Sequence, residues 1–173
     1  MYRRWYAIPA ALLIALLIML IAIGTPLSTF LRMPYRTFYI PAESMRPTLE
    51  INDRIFAQMG APPQLRRGMI ILLNVGDHIY IKRIAALPGD RVEFIDGDYY
   101  LNGSVVPRRL AGREPVVDPT FGETPQRFDE SFAGETGTHQ ILDSGYSQFD
   151  DVAPQIVRPG HVFVLGDNRD HAA

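Results

Sequence analysis

Ser44 lies between two prolines in the run Phe38-Tyr39-Ile40-Pro41-Ala42-Glu43-Ser44-Met45-Arg46-Pro47-Thr48-Leu49. Proline restricts the backbone on either side of itself. A hydroxyl held still by such a loop becomes a nucleophile once a neighbouring base removes its proton. Serines beside prolines are more often turn residues satisfying local hydrogen bonds, so Ser44 points to catalysis only together with a base. Lys82 can be that base. The chain has 17 Lys plus Arg, of which Lys82 is the only lysine, and it stands in the apolar stretch His78-Ile79-Tyr80-Ile81-Lys82-Arg83-Ile84. Arginine keeps its proton in proteins, whereas burial can bring lysine from about 10.4 toward about 7–8 and let it accept one. A lysine reaching into solvent from an edge strand is the other reading, and it stays open at this point.

Rival chemistries find less support. With no cysteine there is no thiol nucleophile, disulfide framework or thiolate metal site. His78, His139, His161 and His171 are scattered without ligand spacing and read as surface or turn residues, so no metal is expected. The carboxylates are dispersed, and no pair stands out for acid-base work. Net charge is -2; three basic residues precede Met33, which leaves 14 against 19 acidic residues in the rest. Without a dense basic run, nucleic acid is not an expected partner.

The elements that must position Ser44 and Lys82 begin with an apolar segment. Trp5 to Leu31 carries no charge, and Ala7 to Gly24 is almost wholly aliphatic, enough for about 27 Å of helix, close to the hydrocarbon thickness of a bilayer. Residues 1–31 are therefore expected to form one N-terminal transmembrane helix, with Trp5 and Tyr6 at the interface. Ala22, Gly24 and Ser28 also admit a cleavable secretory signal. Charge does not orient the span, since Arg3 and Arg4 precede it and Arg32 and Arg36 follow it.

Residues 32–173 read as mainly β. Strand-like runs recur at Thr37 to Ile40, Arg54 to Ala57, Met69 to Val75, Ile79 to Ile84, Val92 to Ile95 and Val162 to Leu165. Asp96-Gly97 and Asn102-Gly103 each mark a tight hairpin. Arg108 to Gln155 is poorer in aliphatic residues and richer in Gly, Pro and acids. It reads as an excursion of loops with one or two hairpins, Arg127 to Phe132 with Thr138 to Leu142 among them. The expected architecture is an antiparallel, barrel-like sheet.

In the order of its blocks the whole chain resembles the type I signal peptidases, Ser-Lys endopeptidases of the bacterial inner membrane. The blocks are the apolar anchor, Ile40-Pro41-Ala42-Glu43-Ser44-Met45-Arg46-Pro47-Thr48-Leu49, Tyr80-Ile81-Lys82-Arg83 leading to Leu87-Pro88-Gly89-Asp90-Arg91-Val92, and Gly166-Asp167-Asn168-Arg169-Asp170. The resemblance implies Ser44 as nucleophile, Lys82 as general base, and an oxyanion hole that includes the Ser44 N–H beside Ala42. It implies that Phe38, Ile40, Met45, Leu49, Tyr80 and Ile81 line shallow apolar pockets, although each would serve equally as a core residue. Arg83 and Asp167, a pair of opposite charges, fall near the site with Arg169 and Asp170. The implied substrates are preproteins whose signal peptides end in an Ala-x-Ala type of site. The implied setting is a monomer without cofactor or metal, single-pass in the lipid bilayer, its catalytic domain on the outer side of the cytoplasmic membrane.

This sequence departs from the family pattern in places. Ala42 stands where many members carry a serine whose hydroxyl assists the oxyanion hole, and Glu43 follows where Gly or Asp is usual. Ala172 takes the place of a serine that orients the lysine, and the sequence stops at Ala173 where an Asp-Ser-Arg segment would follow; it reads as truncated at its C-terminus. A specialised processing peptidase, or a catalytically impaired β-domain serving as a binding scaffold, are the alternatives.

Overall fold

The computed structural model describes residues 15, 16, 18, 19, 35–60, 64–115, 117–120, 122–145, 147, 148 and 150–172. Most of the segment read as a transmembrane helix lies outside these residues; Ala15, Leu16, Ile18 and Met19 within it are helical and exposed. Among the described residues no helix is long and apolar enough to cross a membrane. The chain divides into two compact units, residues 1–38 with 56–61, and residues 39–55 with 62–173.

The described chain is mainly β, in antiparallel sheets. Strands β1 (Tyr35–Tyr39) and β2 (Arg54–Gln58) form a two-stranded sheet, whose Tyr35–Phe38 and Phe56–Gln58 portions fall in the first unit. In the second unit, β3 (Ile70–Val75), β4 (His78–Ala86) and β12 (Phe163–Leu165) make one sheet in the order β12-β4-β3. A second sheet runs β11-β5-β6-β7, from β5 (Arg91–Ile95), β6 (Asp98–Leu101), β7 (Ser104–Val105) and β11 (Val152–Ile156). The third is β10-β9-β8, from β8 (Arg108–Arg113), β9 (Gln126–Glu130) and β10 (His139–Asp143).

The tight hairpins form where the turn residues demand them. Asp96 and Gly97 have φ of 50° and 79°, and Asn102 and Gly103 have 55° and 82°. Two successive positive φ angles give the turn whose twist matches the flanking strands, and Asn, Asp and Gly tolerate them best. The segment 108–155 holds more strand than its composition suggests, namely β8 to β11. Strand β8, Arg-Arg-Leu-Ala-Gly-Arg, has little apolar signal, and Arg109 lies directly opposite Asp129 with a 2.6 Å ion pair across the ladder. Strand β11 contains Pro154, and its ladder with β5 shifts between Val152 and Gln155, where a residue without an N–H can be accommodated.

Ala85, Ala86, Val92, Phe94, Tyr99, Leu101, Val106, Phe132 and Val157 form the core, with Val152, Phe163 and Leu165 packed on it. Tyr99 is its hub: its ring lies 5.0 Å from Phe94, 5.9 Å from Phe132 and 6.3 Å from Phe163, centroid to centroid. Strand β4 runs from exposed residues at His78 to a fully buried end, where Ile84, Ala85 and Ala86 are inaccessible to solvent. It thus carries Lys82 and Arg83 across the transition from surface to interior.

Candidate active site

Lys82 and Arg83 are neighbours on β4, so their side chains leave opposite faces of the strand. Arg83 is 6% exposed and Lys82 7%. Two adjacent buried cations require either partners or neutralisation, and the structure treats them differently. Arg83 forks onto Asp167, with Nε to Oδ1 at 2.8 Å and Nη2 to Oδ2 at 2.6 Å, and donates from Nη1 to the Gly68 carbonyl at 2.7 Å. Lys82 has no such carboxylate among the described residues; its Nζ donates to the backbone oxygen of Ala172 at 2.5 Å. Burial accordingly holds the Lys82 ammonium below its usual range.

Ser44 lies in the turn between β1 and β2 and is half-buried. Its loop is fixed at both ends. The Ile40 N–H donates to the Asp53 carbonyl at 3.0 Å and the Asn52 N–H to the Ile40 carbonyl at 2.9 Å. Farther along, Thr48 donates its hydroxyl to Asp167 and accepts from Arg83 Nη2 at 3.3 Å. The same Asp167 therefore serves the serine loop and the strand that bears the lysine.

A third segment completes the arrangement. The Asn168 N–H donates to the Ser44 carbonyl at 3.2 Å. Gly166 is pressed between the Ser44 carbonyl oxygen and Ala172, and a Cβ at 166 would overlap both. Residues 166–172 thereby touch the Ser44 loop through Asn168 and the lysine through Ala172. They are themselves held by Leu142: its N–H donates to the Asp167 carbonyl at 2.8 Å and its carbonyl accepts from the Arg169 N–H at 2.9 Å. Asp170 accepts from the Ser144 N–H at 2.6 Å, and burial raises its pKa despite that bond and one from Ser147.

The apolar positions divide by burial. Ile40 and Met45 are 3% and 2% exposed, Phe38, Leu49 and Ile81 are half-buried, and Tyr80 and Ala42 are exposed. Arg169 is paired with Glu130 and donates from Nε to the Gly166 carbonyl at 3.2 Å.

Several contributors escape sequence reading. His139 is buried, not a surface residue, with Nε2 3.1 Å from Glu130 and Nδ1 3.1 Å from Glu135. Burial works against the charge of Glu130, but Arg169 and His139 outweigh it and leave the pKa lowered. Glu114, from the segment after β8, accepts from Arg46 Nη2 at 3.2 Å and pairs with Arg127. No spacing rule marks these contacts of Glu114, because the partners are 68 and 13 positions away. Among the described residues no group of His, Cys, Asp and Glu could hold a metal ion.

Known proteins share this sequence pattern. The profile of a family described as "Signal peptidase, peptidase S26" matches residues 7–173. Signal peptidase I of Bacillus amyloliquefaciens is 31% identical over 155 residues, which are 88% of this chain and 70% of that protein. Signal peptidase I S of Bacillus subtilis (strain 168) is 31% identical over 78% of this chain and 62% of its own length. A probable signal peptidase I-2 of Synechocystis is 35% identical over 64% of this chain and 55% of its own length.

Proposed function

The chain belongs to the signal peptidase family, peptidase S26, a family of serine endopeptidases, and from that premise we propose that it removes N-terminal signal peptides with Ser44 as nucleophile and Lys82 as general base. The observation that carries the assignment is the state of Lys82, buried, without a carboxylate partner among the described residues and below its usual pKa. A lysine whose pKa burial lowers gives up its proton more readily than an exposed one and, once neutral, can take the proton of a hydroxyl.

The reaction runs in two steps. Neutral Lys82 accepts the Ser44 proton as Oγ attacks the scissile carbonyl; the protonated lysine then gives that proton to the leaving amine. Water repeats the sequence on the acyl-enzyme. The Ser44 N–H is the backbone donor to the developing oxyanion, and Ala42 supplies no hydroxyl to assist it, so the backbone bears more of that stabilisation. Small residues before the cut fit shallow apolar pockets to which Ile40, Met45, Leu49, Tyr80 and Ile81 contribute, with Phe38 assigned to them by the family's sequence pattern. Ala-x-Ala sites are the expected substrates. Residues 1–31 span the bilayer as a single helix and residues 32–173 form the catalytic domain on the outer side of the cytoplasmic membrane, where signal peptides emerge. The monomer suffices, without cofactor.

The test is cleavage of a preprotein bearing an Ala-x-Ala site by the detergent-solubilised chain. Wild type cuts after the second alanine, and its rate falls as pH drops through the Lys82 pKa, because the protonated lysine cannot act as base. Ser44→Ala and Lys82→Arg are each expected to lose at least about 1000-fold. Full cleavage by either variant would refute the assignment of roles.

A further inference from the structure

His171 sits immediately before the residue whose carbonyl holds Lys82, and its ring faces two carboxylates from different parts of the chain. Nε2 lies 2.6 Å from Asp118 Oδ2, and Nδ1 lies 3.4 Å from Glu43 Oε1. An ionised carboxylate only accepts, so the proton in the shorter contact resides on His171 Nε2. Glu43 is the residue before Ser44; its other oxygen lies 3.7 Å from Arg46 Nη1. Asp118 is a firm anchor. Its Oδ1 accepts from the Thr120 N–H at 2.8 Å, its own N–H donates to the Glu123 carbonyl and its carbonyl accepts from the Gly122 N–H, both at 2.7 Å. Its side chain is 9% exposed and that of His171 17%.

We propose that His171 is a positioning residue for Lys82: tethered to Asp118 and facing Glu43, it fixes the segment whose Ala172 carbonyl covers and holds the lysine amine. The proposal rests on the reading of Lys82 as general base. Removing the imidazole releases residues 171–172 from Asp118 and Glu43, and a carbonyl one residue from a lost anchor can swing. Water then reaches Nζ, the burial that disfavours the ammonium is relieved, and the amine loses the carbonyl that holds it. Charged groups that face this assembly include Asp118 and Glu43 at the ring, Arg46 behind Glu43, and Lys82 at the Ala172 carbonyl.

Because Lys82 is the only lysine, 13C-lysine labelling of the full chain in detergent gives a single side-chain Cε resonance whose shift follows its ionisation. In His171→Ala the titration midpoint is expected to move upward, toward the unperturbed value of about 10.4. The acid limb of preprotein cleavage moves with it, and kcat falls about tenfold or more while KM stays within about twofold. His171→Gln, whose amide N–H can still reach Asp118, recovers most of both. Asp118→Ala, which removes the acceptor while leaving residues 171 and 172 themselves unchanged, displaces the midpoint in the same direction. An unmoved lysine resonance in His171→Ala, or a glutamine variant no better than alanine, overturns the proposal. A wild type that fails to cleave while its lysine still responds to His171→Ala overturns the catalytic reading and leaves the tether standing.

Discussion

A buried amine is a burden on the fold whenever it is charged. Lys82 is 7% exposed and its pKa is lowered by burial. For a cation so depressed, the folded state disfavours the proton that the unfolded state binds, so stability is lost as pH falls from the unfolded pKa to the folded one. Lys82→Met keeps most of the aliphatic stem and removes the ammonium. It is expected to abolish cleavage and to raise the melting temperature at neutral pH by about 2–4 °C, the effect of roughly 1 kcal/mol in a chain of this size. Differential scanning calorimetry of both proteins at pH 7 and at pH 10 checks this, and the gain should shrink at the higher pH. Ser44 and Lys82 stand out in the sequence because each is unusual in its surroundings, the serine by its flanking prolines and the lysine by its rarity among arginines. The tether of Glu43, Asp118 and His171 is not, since a carboxylate or imidazole acquires its role only from partners that folding brings to it.

Strands and loops meet at Gly166, where the segment after β12 passes against the Ser44 carbonyl and Ala172. Gly166→Ala inserts a methyl group where two backbones already touch. Its expected cost is about 1–3 kcal/mol of stability from overpacking, with a loss in kcat of about 100-fold as the serine loop and residues 166–172 are pushed apart. Urea denaturation and steady-state cleavage measure the two separately, and a variant with normal turnover would show that this contact does not set the geometry. At the same scale, the hairpins at Asp96-Gly97 and Asn102-Gly103 can be read because turn chemistry is local. Strands β8 and β11 cannot. Arg109 is held in β8 by pairing across the ladder with Asp129, and β11 accommodates Pro154 at an irregularity, neither of which leaves an apolar period of two. The tethers from Glu114 to Arg46 and from Asp118 to His171 lie in that same segment of weak signal.

Across the whole molecule, buried carboxylates set the response to acid. Asp90 is buried to 8% exposure; desolvation works against its charge, but Asn102, the Leu87 N–H and the fork from Arg67 prevail and lower its pKa. Glu130 is lowered as well. A carboxyl depressed in the folded state contributes stability that is present above its unfolded pKa and lost as pH falls through the folded one. Asp170, raised by burial, acts in the opposite sense: its contribution is present at low pH and lost as pH rises through its folded pKa. The melting temperature of the wild type is therefore expected to fall below about pH 4. Asp90→Asn should cost about 1.5–3 kcal/mol at neutral pH and show a shallower decline into acid. Parallel acid declines for the two proteins would exclude Asp90 as a contributor. The Ser44 carbonyl and the Asn168 N–H, joined at 3.2 Å, belong to the main chain, and every residue but proline offers the same two groups. Mutation can thus wander through the side chains at 42, 43 and 172 while the main-chain link between the Ser44 loop and residues 166–172 is inherited unchanged.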